Sequence, residues 1–260
     1  MSEPLVVEWI EPDVVVLTLN VHNRRNSMTA ELTEAWGAAI TALSRDPKAR
    51  AVVVTGTGTA FCAGGDFGWL ESTIGSSDSV STLRSTMRQF YQTWLSIRNL
   101  TIPSIAAVNG PAIGAGLCLA LACDLRYAAP AATFSAPFTS LGVHPGMAAT
   151  WLLPEAVGMP RAREMFLTGR QVSAQEAVKW GLASAISDDV VAHAIDVAKT
   201  IAATDLLSVE LTRAALTHPN RTFEEGLDWE GFAQPMTMTQ RSATKLMSMR
   251  RSNLASEQGY

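Results

Sequence analysis

The stretch "PSIAAVNGPAIGAGLCLALACDLRYAA", residues 103–129, holds four structural signals in succession. "PSIAAVNG" reads as a strand whose continuous apolar run needs cover on both faces. Asn109, Gly110 and Pro111 break the run, and Gly114 and Gly116 continue the break into a turn. Residues 114–122 then read as a helix with no acid or base in it, and "CDLRYAA" reads as another core strand. From Ile105 to Cys123 the only strongly polar side chain is Asn109, and the run is long enough to cross a bilayer. Its glycine and proline interruptions favour a buried strand, a turn and a buried helix instead. Strand, helix and strand in that order imply a right-handed crossover in a parallel sheet.

The same alternation extends toward the N-terminus. "VVVLTLN" (14–20) and "AVVVTG" (51–56) read as strands, the second fully apolar. Between them Leu32, Ala35, Trp36, Ala39, Ile40 and Leu43 share one helical face, with Thr29 as the N-cap and Asp46-Pro47 as the stop. "TGTAFCAGGDFGW" reads as a glycine-rich loop. Leu83, Met87, Phe90, Tyr91, Trp94 and Ile97 mark a second amphipathic helix. After about residue 145 the character changes. "SAQE" (173–176) and "TFEE" (222–225) are capping boxes, Gly181 closes the helix after the first, and nearly everything from 189 onward reads as helix. These signals predict an α/β fold, with a core over residues 1–190 and a helical region over 191–260.

The chain has 260 residues and a net charge of −4 without a basic run, which weighs against nucleic acid as a partner. Its opening has acids and no basic segment, unlike a secretory signal. Three cysteines without CxxC spacing (Cys62, Cys118 and Cys123) weigh against disulfides and a zinc site, and fit a reducing, cytoplasmic setting. No metal and no membrane span are expected.

Two glycine-rich turns, "FCAGGDF" and "NGPAIGAG", follow two buried strands. Ligands in open α/β sheets sit at the carboxyl ends of strands. The first N–H groups of a helix have no partner within the helix, so two such groups aimed at one point would stabilise an oxyanion. Each turn taken alone is equally a tight connection that needs positive φ. Neither ends in the Gly-Lys-Ser/Thr of a phosphate loop, and neither matches the dinucleotide-binding pattern.

"RRNSM" (24–28), "AFCAGGDF" (60–67), residues 103–129 and "LTGRQVSAQEAVKWGLA" (167–183) together resemble the crotonase superfamily, the enoyl-CoA hydratase/isomerase family. The resemblance implies a spiral ββα core and a helical C-terminal region that builds homotrimers or hexamers. It implies acyl-CoA thioester substrates, with coenzyme A arriving as part of the substrate and no further cofactor. It also implies an enolate held by two backbone N–H groups, which the motifs place at Gly65 and Ala115. Ala63, Asp66 and Phe67 flank the first donor as expected substrate contacts.

Hydratases of this family carry two glutamates, whose positions are taken here by Cys118 and Phe138. Water addition needs a base for the water and an acid for the α-carbon. Other branches place an aspartate near Gly146, which is glycine here. The resemblance therefore points away from hydration and toward proton transfer or isomerisation. The alternative is a non-catalytic acyl-CoA-binding protein of the same fold. His144, in "LGVHPGM", is the candidate proton-transfer group; its other reading is a loop histidine bonded to backbone before Pro145. Cys118 acts chemically only if its pKa is lowered, and otherwise is a small buried hydrophobe. Asp66 is either a helix cap or a substrate contact. Glu71 and Asp78 are surface acids by default. Arg24 and Arg25 match the segment near the adenine and phosphates, with His22 beside them. Arg250 and Arg251 are candidates for reaching a neighbouring subunit's ligand. Phe67, Trp69, Phe138, Met147, Trp151 and Leu152 are candidates for an apolar acyl pocket.

Overall fold

A computed structural model of the chain describes residues 3–11, 13–76, 79–217 and 222–240. Its strands are β1 (Leu5–Ile10), β2 (Val14–Leu19), β3 (Ala51–Gly56), β4 (Ser104–Val108), β5 (Ala112–Ile113), β6 (Leu125–Ala128), β7 (Thr133–Ser135), β8 (Gln171–Ser173) and β9 (Ala185–Ile186). The helices are α1 (Ala30–Leu43), α2 (Phe67–Gly75), α3 (Val80–Leu95), α4 (Ala115–Ala122), α5 (Ala149–Val157), α6 (Met159–Thr168), α7 (Ala174–Trp180), α8 (Val190–Ala202), α9 (Leu206–Leu216) and α10 (Phe223–Met238).

The central sheet has the order β1-β2-β3-β4-β6-β9. β1 and β2 pair antiparallel, and the rest of the sheet is parallel, with Val14 opposite Ala51 and Val52 opposite Ser104. The continuous apolar runs are explained by its two covered faces. Val15, Leu17, Val52, Val54, Ala106 and Val108 point into the main core, with Trp36 of α1, Trp94 of α3 and the whole of α4. Val14, Val16, Ala51, Val53, Ile105 and Ala107 point the other way, onto Val190, Ala194 and Ala198 of α8. The cover of the sheet therefore continues past residue 190. Every residue of α4 from Gly116 to Ala122 is buried, which is why that helix has no polar face.

Several expectations are corrected in detail. The glycine-rich loop is shorter than its composition suggests, because Asp66 caps α2 and accepts from the Trp69 N–H at 2.9 Å, so Phe67 and Trp69 are already helical. α1 stops at Leu43, before Asp46-Pro47. A second, three-stranded sheet, β5-β7-β8, was not foreseen, since strands of two or three residues are too short to show a period. Both capping boxes form, at Ser173 with Glu176 and at Thr222 with Glu225, and Gly181 closes α7 with a φ of 81°. Arg213 of α9 donates to Asp124 at 2.8 Å, and Asp124 also accepts from the Ser104 N–H at 2.8 Å. That network fastens α9 to the edge of the core. Among the described residues no helix is long and apolar enough to cross a membrane.

Candidate active site

Three segments from different parts of the chain run side by side at the carboxyl end of the sheet. Ala63 N–H donates to the Arg25 carbonyl at 3.0 Å, and Met28 N–H to the Gly64 carbonyl at 2.8 Å. On the other side Cys62 N–H donates to the Pro111 carbonyl at 3.1 Å, and Ile113 N–H to the Cys62 carbonyl at 3.0 Å. The loop 62–65 is thus bonded like a strand between the turn 24–28 and the turn 111–113.

Asn26 fixes the first of these turns. Its buried side chain accepts from the Val21 N–H at 3.0 Å and donates to the carbonyls of Thr57 and Ala60 at 2.9 and 2.8 Å. Arg25 and Asn26 are both left-handed, with φ of 53° and 56°. That conformation is uncommon for residues with a Cβ, and the bonds of Asn26 hold it.

The two glycine-rich turns then meet main chain to main chain. A Cβ on Gly64, whose φ is 97°, would stand 2.7 Å from the Ile113 carbonyl oxygen and 3.4 Å from the Ala115 nitrogen. A Cβ on Gly116 would stand 2.1 Å from the Cys62 carbonyl oxygen. Glycine at both positions lets the start of α4 press onto the loop. Gly65 N–H follows directly on Gly64, and Ala115 is the first residue of α4. Among the described residues neither N–H has a hydrogen-bond acceptor. Both residues are partly exposed.

The far wall is apolar. Phe138 is half-buried against the core, with its ring 3.8 Å from where a Gly114 Cβ would be. Cys118, one turn into α4, is 1% exposed, and its Sγ lies 3.8 Å from the Gly146 carbonyl oxygen. Burial pushes its thiol up to about 12, so it keeps its proton and is neither base nor nucleophile near neutrality. Cys62 and Cys123 are pushed to about 12 by the same cause. Tyr91 of α3 approaches from the other side, where a Cβ on Gly146 would stand 2.4 Å from its hydroxyl. Periodicity put Tyr91 on a buried face but could not show that its hydroxyl ends here. After Gly146, Met147 and Ala148 are both left-handed at φ 53°, a second strained pair beside the site.

The other predicted residues fall in different places. His144 is exposed, with Nδ1 2.8 Å from the Pro145 carbonyl oxygen. A carbonyl only accepts, so that contact puts the proton on Nδ1 and leaves Nε2 as the acceptor. Arg24 donates to Asp66 at 3.0 Å, and Ser27 Oγ lies 3.4 Å from the same carboxylate oxygen. Arg25 is exposed and, among the described residues, has no ion-pair partner. Ala63 is partly exposed and Phe67 is 65% exposed at the rim. Trp69 stacks on Phe90 with centroids 4.6 Å apart. Met147 and Leu152 belong to the core, whereas Trp151 faces outward beneath the Arg98 guanidinium. Glu71 is exposed. Asp78, Arg250 and Arg251 lie outside the described residues. A cavity of about 700 Å³, bounded by Leu121, Arg126, Leu152, Arg213 and Leu216, lies between the core and α9, away from the two turns.

The enoyl-CoA hydratase/isomerase family profile matches residues 10–251. The chain belongs to that family. Among its relatives is a protein named probable enoyl-CoA hydratase EchA14 from Mycobacterium tuberculosis, 44% identical over 189 residues that cover 73% of this chain and 72% of that one. A second, probable enoyl-CoA hydratase EchA12 of the same organism, is 38% identical over 234 residues, covering 86% and 78%. Of solved structures, the enoyl-CoA hydratase of Bacillus anthracis superposes with a TM-score of 0.88 at 30% identity over 96% of each chain. That of Mycobacterium smegmatis gives 0.89 at 27% over 97% of each. The fold is the crotonase α/β fold, and the helices after the core are part of it.

Proposed function

We propose that this chain binds acyl-CoA thioesters, holds the thioester oxygen on the N–H groups of Gly65 and Ala115, and moves a proton next to that carbonyl without adding water. One observation carries the reading: two N–H groups without acceptors, brought together by glycine turns whose main chains touch. Preorganised donors of this type stabilise a developing enolate oxygen by about 3 kcal/mol each in the transition state. Cys118 and Phe138 stand where hydratases of the family carry glutamates, and neither can take a proton from water. His144, two residues before Gly146, presents a free Nε2 and is the candidate proton carrier. Arg25 is the free cation for the coenzyme's phosphates, while Arg24 is shared with Asp66. Exposed Phe223, Leu227, Phe232 and Met236 along α10 support self-association into the homotrimer or hexamer expected of the family.

The test uses purified protein with a panel of acyl-CoA thioesters and their free acids. Acyl-CoA should raise the melting temperature more than the matching acid does, because a ligand that binds only the native state stabilises it by mass action. In deuterated water, mass spectrometry should show deuterium entering the acyl chain. Loss of the conjugated enoyl-thioester absorbance should be slower by about 10²–10⁴ than for a two-glutamate hydratase. Hydration at a competent rate would overturn the proton-transfer reading. Stabilisation without exchange would favour the non-catalytic acyl-CoA-binding protein, a reading that the buried Cys118 thiol and the apolar Phe138 also support.

A further inference from the structure

The cavity of about 700 Å³ between the core and α9 combines apolar walls with a buried cation. Leu121 of α4, Leu125 of β6 and Leu152 of α5 line it from the core side, and Val209 and Leu216 from α9. The lining residues of α9 recur at helical spacing and so share one face, yet no residue of that helix is buried. The face turns toward a space that the described residues leave unfilled.

Arg126 of β6 supplies the charge. Its Nε donates to the Leu182 carbonyl and its Nη1 to the Cys123 carbonyl, both at 2.8 Å. Among the described residues the side chain has no ion-pair partner, and Nη2 has no hydrogen-bond partner. Nη2 is not sealed in protein either, since among the described residues the one sealed side-chain nitrogen or oxygen without a partner is Trp36 Nε1. Arg126 lines the cavity, so the free surface of Nη2 lies there. Burial lowers the pKa of the guanidinium, but arginine keeps its charge in a protein. A buried cation without a counter-charge in contact is costly, and an anion in the cavity removes that cost. The other lining charges are engaged or exposed. Arg213 donates to Asp124 from Nε and to the Leu100 and Arg98 carbonyls from its two Nη atoms. Arg98 lies over the Trp151 ring, and Glu155 is exposed.

We propose that this cavity is a second ligand site that takes a carboxylate with an apolar tail, the carboxylate accepting from the free N–H groups of Arg126 and the tail lying between α5 and α9. A guanidinium matches a carboxylate in shape as well as charge, and the volume is that of a small-molecule site. The site is separate from the two glycine-rich turns. Ala115 begins α4 beside them, and Leu121 and Cys123 line the cavity at the other end of that helix, about 12 Å away. It does not depend on the acyl-CoA reading, because a thioester has no free carboxylate.

The experiment is calorimetric titration of the full chain with decanoate, decanol and butyrate. Decanoate should bind at least about tenfold more tightly than either of the others, since decanol lacks the charge and butyrate the tail. Short acids therefore leave the melting comparison of a short acyl-CoA with its acid undisturbed. Arg126→Met should bring decanoate down to the level of decanol. Val209→Trp fills the cavity from the α9 side, keeps Arg126 with its two carbonyls, and should abolish decanoate binding; it decides the matter if Arg126→Met does not fold, as melting curves will show. Saturating butyryl-CoA should leave decanoate affinity within about twofold, because the sites are distinct. Decanoate that binds no better than decanol, binding that survives in folded Val209→Trp, or displacement of decanoate by butyryl-CoA overturns the proposal.

Discussion

The Arg24 guanidinium lies 3.0 Å from the Asp66 carboxylate and joins the turn before α1 to the cap of α2. Asp66 directly follows Gly65, so a bare carboxylate there would oppose any negative charge gathered on the Gly65 N–H. Arg24 offsets that charge. Burial alone would raise the Asp66 carboxyl, but the Trp69 N–H and Arg24 together hold it below its ordinary value. The side chain is 12% exposed and that of Arg24 58%.

A carboxyl whose folded pKa is lowered stabilises the fold at pH above its unfolded value, and that contribution is lost as pH falls through the folded one. Asp66→Asn keeps a good cap and removes the charge. It should melt below wild type at pH 7, and the gap should close as pH drops below about 4. Melting curves from pH 7 to pH 2.5 check this; a gap that stays constant over the range rules out the charge as its source.

Gly116→Ala should destabilise by about 2–3 kcal/mol, because the obstacle 2.1 Å from the new Cβ is backbone. Gly75→Ala is the control. It is helical with nothing within 4 Å, and should be neutral or stabilising by up to about 1 kcal/mol. Urea titrations of both variants compare them; equal effects would refute the close approach of α4 to the loop.

All three thiols should be silent to Ellman's reagent in the native protein at pH 8 and should react fully in denaturant. Each is buried and pushed up to about 12 by that burial. Rapid labelling of Cys118 in native protein would contradict the closed wall behind Tyr91.

Ala115 is the first residue of α4, a position where proline is well tolerated. Ala115→Pro therefore removes one N–H while keeping the helix. Solvent-deuterium entry into an acyl-CoA should fall by about 10²–10³. Retention of full exchange by a well-folded variant would exclude this N–H from the chemistry.

His144→Ala should lower the same exchange at least about tenfold and leave acyl-CoA affinity within a few-fold, as expected for a group acting on the transition state. Because the ring also bonds the Pro145 carbonyl, melting must be measured on the same sample. Unchanged exchange per folded molecule would reduce His144 to a loop support.

Features set by neighbours in sequence were legible. The Thr29 cap of α1 and the capping boxes at Ser173 and Thr222 each involve residues three apart, and all three form. The fully apolar β3 and β4 announced a sheet covered on both faces. The two turns were visible as glycine clusters, and the family resemblance supplied Gly65 and Ala115 as the donors proposed above. What could not be read was which side chain from one element ends beside another. The Arg24–Asp66 pair joins residues 42 apart. Asn26 looked like one polar residue among several, yet it holds the turn. Tyr91 looked like core, because helical period gives a face and not the position of a hydroxyl at its end. Trp151, grouped with the acyl pocket, turns out to Arg98 because its neighbour Leu152 takes the inward direction.

The contact between Gly116 and the Cys62 carbonyl is made by main-chain atoms alone, and so is the approach of Gly64 to Ala115. The spacing of the two N–H groups is therefore independent of the identity of nearly every side chain around them. The side chains of Phe138, Cys118 and Tyr91, and the missing one of Gly146, take no part in those main-chain contacts. A descendant of this chain could abandon one reaction and acquire another without ever losing its grip on a thioester, and a library at those four positions would sample that drift directly.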